Sequence, residues 1–209
     1  MISADDFQSL LLEGSIETII EEHLLVGEPY VFRRAPTAYA RVRQQLAREL
    51  AVPEDSVLLV GSGQLGFSIS PDGFPRRFNA KSDLDFVIID QTLFDSVWNT
   101  LLTWHYPLRY ALEGGDRTWA LQRRDDVFWG WISPDRITIP WRPCPPPLIP
   151  LRDLGTTWFQ AFQRLSLLPE VSTRPASGRL YRSREHAMMY HRDGLRRLKM
   201  KLERGFDAI

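Results

Sequence analysis

The chain has 209 residues, with 26 basic and 26 acidic side chains, so its net charge is zero and overall charge marks it for neither nucleic acid nor a basic partner. An apolar share of 44% beside 25% charged residues belongs to a folded domain with a core and excludes a disordered chain. No run approaches the roughly 18–20 apolar residues of a membrane span, the N-terminus lacks a basic-then-apolar leader, and the single Cys144 excludes an internal disulfide; a cytoplasmic protein with no membrane contact is the expectation.

In chain order, residues 4–12 and 15–25 are predicted to be two short helices. In the second, Ile16, Ile19, Ile20, His23 and Leu24 recur at helical spacing opposite Glu17, Glu21 and Glu22. Pro36 opens a longer helix with Tyr39, Val42, Leu46 and Leu50 on one face and Arg41, Arg43 and Gln44 on the other. A first core strand follows at residues 57–60 and a second at residues 86–89. After it, Phe94, Val97, Trp98, Leu101 and Leu102 give a helix its buried face. Residues 117–122 and 127–132 read as strands on their aromatic content, with Glu113 and Asp116 as hairpin neighbours of Gly114-Gly115.

Seven prolines between Ser133 and Pro150 predict a stiff connector without helix. Beyond it, Asp153 is expected to cap a helix through Leu168 that carries Trp158, Phe159, Phe162 and Leu165. A final helix is expected from Gly178 or Arg179 to about Glu203, with Tyr181, Met188, Leu195, Leu198 and Leu202 turned inward. The fold class is α+β: a small mixed β-sheet core at residues 36–140, acidic N-terminal helices at residues 1–35, a proline-rich connector at residues 141–152 and a basic C-terminal helical extension at residues 153–209.

Charge is segregated along this order. The first 32 residues hold no Lys or Arg but contain Asp5, Asp6, Glu13, Glu17, Glu21, Glu22 and Glu28. The last helix carries Arg192, Arg196, Arg197, Lys199 and Lys201. Such asymmetry either clamps the two ends together or offers a phosphate rail to nucleic acid or a docking face to a protein partner. Lys occurs only three times, so nearly all positive charge is guanidinium, the group suited to bidentate phosphate recognition. His23, His105, His186 and His191 are scattered, and no structural zinc site is expected.

The chemistry-bearing signal lies between the two core strands. Ser82-Asp83-Leu84-Asp85 runs straight into Phe86-Val87-Ile88-Ile89. In an extended strand, residues two apart face the same way, roughly 6.5–7 Å apart at Cα, so Asp83 and Asp85 can grip one metal cluster together. Side-by-side carboxylates are costly without a cation, and all-oxygen ligands suit Mg²⁺ or Mn²⁺. One loop earlier, Val57-Leu58-Leu59-Val60 ends in Gly61-Ser62-Gly63. That turn is free of side-chain obstruction, and its N–H groups and the Ser62 hydroxyl can hold phosphate oxygens.

At these residues the chain resembles the DNA polymerase β-like nucleotidyltransferase superfamily, whose signature is a strand, a Gly-Ser turn, a helix, and Asp-x-Asp on the next strand. The likeness spans about residues 36–89. It implies transfer of a nucleoside monophosphate from a nucleoside triphosphate, with two Mg²⁺ or Mn²⁺ ions at Asp83 and Asp85, one activating the attacking oxygen and one steadying the pyrophosphate, and the triphosphate held by Gly61, Ser62 and Ser82. The acceptor stays open between a nucleotide, a nucleic-acid end and a protein hydroxyl. Family members of this size implicate prokaryotic toxin–antitoxin or antiviral defence modules.

Two departures from the family pattern stand out. Residues 64–81 hold an extra segment in which Pro71, Gly73 and Pro75 forbid a continuous helix. It is expected to lie over the mouth of the site, with Arg76 and Arg77 reaching a triphosphate or a nucleic-acid backbone. The family also places a third carboxylate on a strand adjoining the Asp-x-Asp strand. Here Asp125 and Asp126 open an apolar run, and Asp126 is the choice for the third catalytic and metal-binding residue, whereas Asp135 is read as a turn residue. The rival expectation is a nucleotidyltransferase-fold binding or scaffolding subunit without turnover.

Overall fold

Capping serines set the first elements of the structure, a computed structural model that describes residues 2–206. Helix α1 (Ala4–Glu13) begins where the Ser3 hydroxyl accepts the Asp6 N–H at 3.1 Å. Helix α2 (Ile16–Ile19) is capped in the same way by Ser15 and runs on into a π-helical turn, Ile20–Leu24. Pro36 opens α3 (Pro36–Leu50), where a missing N–H is harmless. Then follow β1 (Val57–Val60), α4 (Gly61–Leu65), β2 (Leu84–Ile89), α5 (Gln91–Leu108), α6 (Gly114–Phe128), β3 (Trp131–Ile132), α7 (Ile149–Ser166), β4 (Ala176–Tyr181) and α8 (Arg184–Phe206).

The four strands form one mixed sheet in the order β1-β2-β4-β3. Strand β2 pairs antiparallel with β1 and parallel with β4, and β3 pairs antiparallel with β4. Period-two alternation divides β2 between two cores. Leu84, Phe86 and Ile88 join Val57, Leu59 and Leu180 in a cluster packed with side chains of α3, α5 and α7. Val87, Val60 and Tyr181 face the other way, into a second cluster with Phe7, Leu11, Ile19, Ile20, Leu195 and Leu198. Helix α7 lies close against β4 because position 178 is glycine: a Cβ there would stand 2.2 Å from the Phe162 ring. Trp158 Nε1 donates to the Gly178 carbonyl at 3.2 Å in the same contact.

The α+β architecture and the N-terminal helices agree with expectation, and three local expectations are corrected. Residues 117–122 and 127–132 are not two strands. Glu113 is the N-cap of α6, which Gly114-Gly115 opens, and β3 keeps only Trp131 and Ile132. Trp119, Ala120, Arg123 and Val127 fall on one helical face, and Trp119 packs edge-on against Trp104 of α5 at 5.3 Å; this 3.6-residue period outweighs aromatic strand propensity. The connector also yields to helix before Asp153, since α7 starts at Ile149 with Pro150 in its first turn, where proline fits. Finally, residues 178–181 are strand, not helix: Ser177, Arg179 and Tyr181 alternate with Gly178 and Leu180, and β4 is the parallel neighbour of β2. Among the described residues no helix is long and apolar enough to cross a membrane.

Candidate functional site

Antiparallel pairing sets Val60, the last residue of β1, opposite Asp85 of β2, so the chain reverses beside that carboxylate. The reversal runs through Gly61 at φ +66°, a left-handed conformation that disfavours any side chain. A Cβ on Gly61 would lie 3.6 Å from Asp85 Oδ2. On the other flank, parallel pairing sets Ser177 of β4 opposite Asp85, and its hydroxyl donates to Asp85 Oδ1 at 3.1 Å. Two residues on, Arg179 packs against the edge-on pair of Trp131 and Tyr190, its guanidinium carbon 4.8 Å from the Trp131 centroid and 4.3 Å from that of Tyr190. Its Nε donates to the Ser133 hydroxyl at 3.4 Å.

All of these groups except Trp131 line a cavity of about 420 Å³. Gly61 and Ser62 form one rim, Asp83, Asp85 and Ser177 the floor, and Tyr190, His191 and Gly194 of α8 the far wall. Four arginines, Arg76, Arg136, Arg179 and Arg197, line it beside three carboxylates, Asp83, Asp85 and Asp135. Burial, and next the Asp83 charge, push the Asp85 carboxyl above its usual range, against the Ser177 hydrogen bond and the pull of Arg179 and Arg136. His191 is held neutral, its ring pushed down to about 4 by burial and then by Arg179. Its Nε2 is buried with no hydrogen-bond partner.

Asp83 and Asp85, with the Ser62 hydroxyl, fit the oxygen preference of Mg²⁺, which is commonly bound by one or two carboxylates together with substrate phosphates. Among the described residues no group of three or more His, Cys, Asp or Glu side chains is arranged to hold a metal ion. The residues therefore fit a cation that arrives with a phosphate ligand, not a preformed protein cage.

The residues singled out from sequence part company here. Asp83, Asp85, Gly61, Ser62 and Arg76 share the cavity. Ser82 does not line it; the buried hydroxyl accepts the Asn79 N–H at 3.0 Å and shapes the approach to β2. Arg77 bridges Phe67 through its backbone, and its exposed side chain stays off the cavity wall. Asp126 lies on α6 and off the wall as well, paired with Arg123 at 3.3 Å. Asp135, expected as a turn residue, does sit in the 3₁₀ turn Pro134–Arg136, and that turn borders the cavity.

The segment after α4 is anchored, not loose. Phe67 and Phe74 pack with Phe7 of α1 at centroid distances of 5.4 and 6.2 Å, and Asp72 meets Lys201 of α8 at 2.9 Å. It contributes Ser68 to Pro71, with Arg76, to the cavity wall. The acidic and basic ends of the chain also meet. Arg192 pairs with Glu17 at 2.8 Å, and Lys199 donates to the Leu12 carbonyl at 2.8 Å. Within α8, Arg197 pairs with Asp193 at 3.1 Å, while Arg196 has no ion pair among the described residues.

Sequence reasoning missed Ser177, Arg179 and Arg136. The available signal was the alternation Ser177-Gly178-Arg179-Leu180-Tyr181, which marks a strand with a polar face. Compared with protein-family models, with curated protein sequences and with solved structures, the chain matches none.

Proposed function

We propose that the chain is a metal-dependent nucleotidyltransferase that moves a nucleoside monophosphate from a nucleoside triphosphate to an acceptor oxygen. One observation carries the reading: the Val60–Asp85 pairing brings the Gly61-Ser62 turn and the Asp83/Asp85 pair to one arginine-lined cavity. In this reading Asp83 and Asp85 hold Mg²⁺ or Mn²⁺, which when bound would neutralise charge at the α-phosphate and on the leaving pyrophosphate. Gly61 and Ser62 receive the β- and γ-phosphates. Arg76 and Arg136 offset the charge of the phosphate chain from the cavity rim. The contribution of the protein is positioning and charge, as phosphoryl transfer requires. A role in prokaryotic defence belongs to the same proposal through the family resemblance alone, and a cytoplasmic setting through the sequence pattern.

The test is transfer of label. Protein, Mn²⁺ and each α-³²P-labelled nucleoside triphosphate are incubated with candidate nucleotide, RNA, DNA and protein acceptors. Transfer is expected, with loss in Asp83→Asn, because a neutral amide cannot replace a carboxylate opposite a divalent cation. Asp135→Asn is expected to reduce transfer and Asp126→Asn to leave it nearly unchanged, since only Asp135 borders the cavity.

A second reading has its own support, because the residue opposite Asp85 on the adjoining strand is Ser177 and not a carboxylate. On that reading the cavity binds a nucleotide without turnover, within a larger assembly. Metal-dependent nucleotide binding with no label in any acceptor favours it.

A further inference from the structure

We propose, resting on the nucleoside triphosphate reading above, that this cavity takes the triphosphate with a single divalent cation at Asp83 and Asp85, and that Arg179, on the strand that adjoins Asp85, grips the phosphate chain from the Ser177 side. Three observations lead there. Ser177 is a neutral group that occupies Asp85 Oδ1 as a donor at 3.1 Å, which leaves Oδ2, on the Gly61 side, for a cation. Asp83 and Asp85 together carry two negative charges, which one divalent ion balances. A second cation on the Ser177 side would meet Arg179 and Arg136, with no group of three ligating side chains among the described residues to hold it.

Arg179 is the third observation. It lines the cavity, is partly withdrawn from solvent, and is fixed by Trp131, Tyr190 and Ser133. Among the described residues no carboxylate lies within ion-pairing distance of it, although the chain forms such pairs at nine other places. Burial opposes the Arg179 charge but the Tyr181 and Tyr190 side chains more than offset it, so the guanidinium stays charged with no carboxylate partner, and its planar fork matches two phosphate oxygens. The fixed charge of Arg179 thus does on one wall what a second metal ion would otherwise do.

The experiment counts bound Mn²⁺ by electron paramagnetic resonance at saturating α,β-methylene ATP, GTP, CTP or UTP, or inorganic tripolyphosphate. Wild type is expected to bind one Mn²⁺ per chain, and Ser177→Asp two, because the new carboxylate stands in register with Asp85. Arg179→Gln is expected to weaken analogue binding by about tenfold or more, the range for a lost charged hydrogen bond, while the count stays at one; Arg179→Lys, which keeps charge but not the fork, should fall between. Two Mn²⁺ per wild-type chain overturns the proposal without any variant having to fold. So does a count of one in folded Ser177→Asp, or Arg179→Gln affinity within twofold of wild type. If wild type binds none of these probes with Mn²⁺, the nucleotidyltransferase reading falls and this inference with it, whereas tight binding with two ions overturns this inference alone.

Discussion

Gly61→Ala probes the turn on which the site depends. Gly61 holds φ +66°, and the left-handed region costs an L-residue about 1–2 kcal/mol. Alanine also stiffens the unfolded chain, which returns about 0.4–1 kcal/mol. The space itself is open, since the nearest atom to the added methyl is Asp85 Oδ2 at 3.6 Å. The net expectation is a loss of about 1 kcal/mol, or a fall in Tm of about 2–4 °C for a chain of this size. The same methyl stands beside the oxygen proposed to face the cation, so Gly61→Ala should also lose most of the stabilisation given by Mn²⁺ with a triphosphate analogue. Thermal denaturation and urea titration, each with and without ligand, measure the two effects separately. A variant as stable as wild type or more so would refute the backbone argument, and full ligand stabilisation would refute the placement of the cation.

Asp85 titrates above its usual range because of burial and then Asp83, so as pH rises the unfolded chain releases the proton first and stability falls through the window above 3.8. Asp85→Asn should therefore raise Tm at neutral pH without metal while abolishing metal-dependent nucleotide binding; a lower metal-free Tm contradicts this. His191 has the opposite sign: its folded value of about 4 lies below the ordinary 6.5, so stability present above 6.5 is lost as pH falls toward 4. Between pH 7 and pH 5, wild type should lose about 2 kcal/mol more than His191→Gln in urea titrations, and equal losses would show that the ring is not held neutral. On α8, reversing Arg196 and Arg197 to Glu should reduce the slope of log K against log[salt] for a single-stranded oligonucleotide by about 1.4, as two phosphate contacts require; an unchanged slope makes this face a solvated one.

The legible parts of the fold were those with strong periodicity and short connections. Val42, Leu46 and Leu50 mark the buried face of α3, and the apolar residues of β1 and β2 flank the Gly61-Ser62 and Asp83/Asp85 motifs directly. Strand β4 was hidden for two physical reasons. Its residues include Ser177, Gly178 and Arg179, poor strand formers, and its partner is far away in sequence: the Ser177–Asp85 hydrogen bond spans 92 residues. No local pattern reports such a pairing. The same blindness explains Asp126, which looks like the head of a strand but rides on α6, and Asp135, whose turn is carried to the cavity by the β3–β4 pairing and by packing of Pro134 against Gly155 of α7. Of the alternatives that the charge segregation left open, the structure shows contact between the chain ends, where Arg192 meets Glu17.

The most direct test of the central claim is the melting temperature of wild type and of Asp83→Ala/Asp85→Ala, each measured alone, with Mn²⁺, and with Mn²⁺ plus each nucleoside triphosphate. A ligand that binds only the folded state stabilises it by RT ln(1 + [L]/Kd), so at about 100 times Kd the gain is about 2.7 kcal/mol. For this chain that is a rise of several degrees, about 5–11 °C, expected in wild type with Mn²⁺ and at least one triphosphate, and absent from the double variant. Identical ligand-induced shifts in the two proteins, or no shift in wild type with any triphosphate, would contradict a metal–nucleotide site at Asp83 and Asp85.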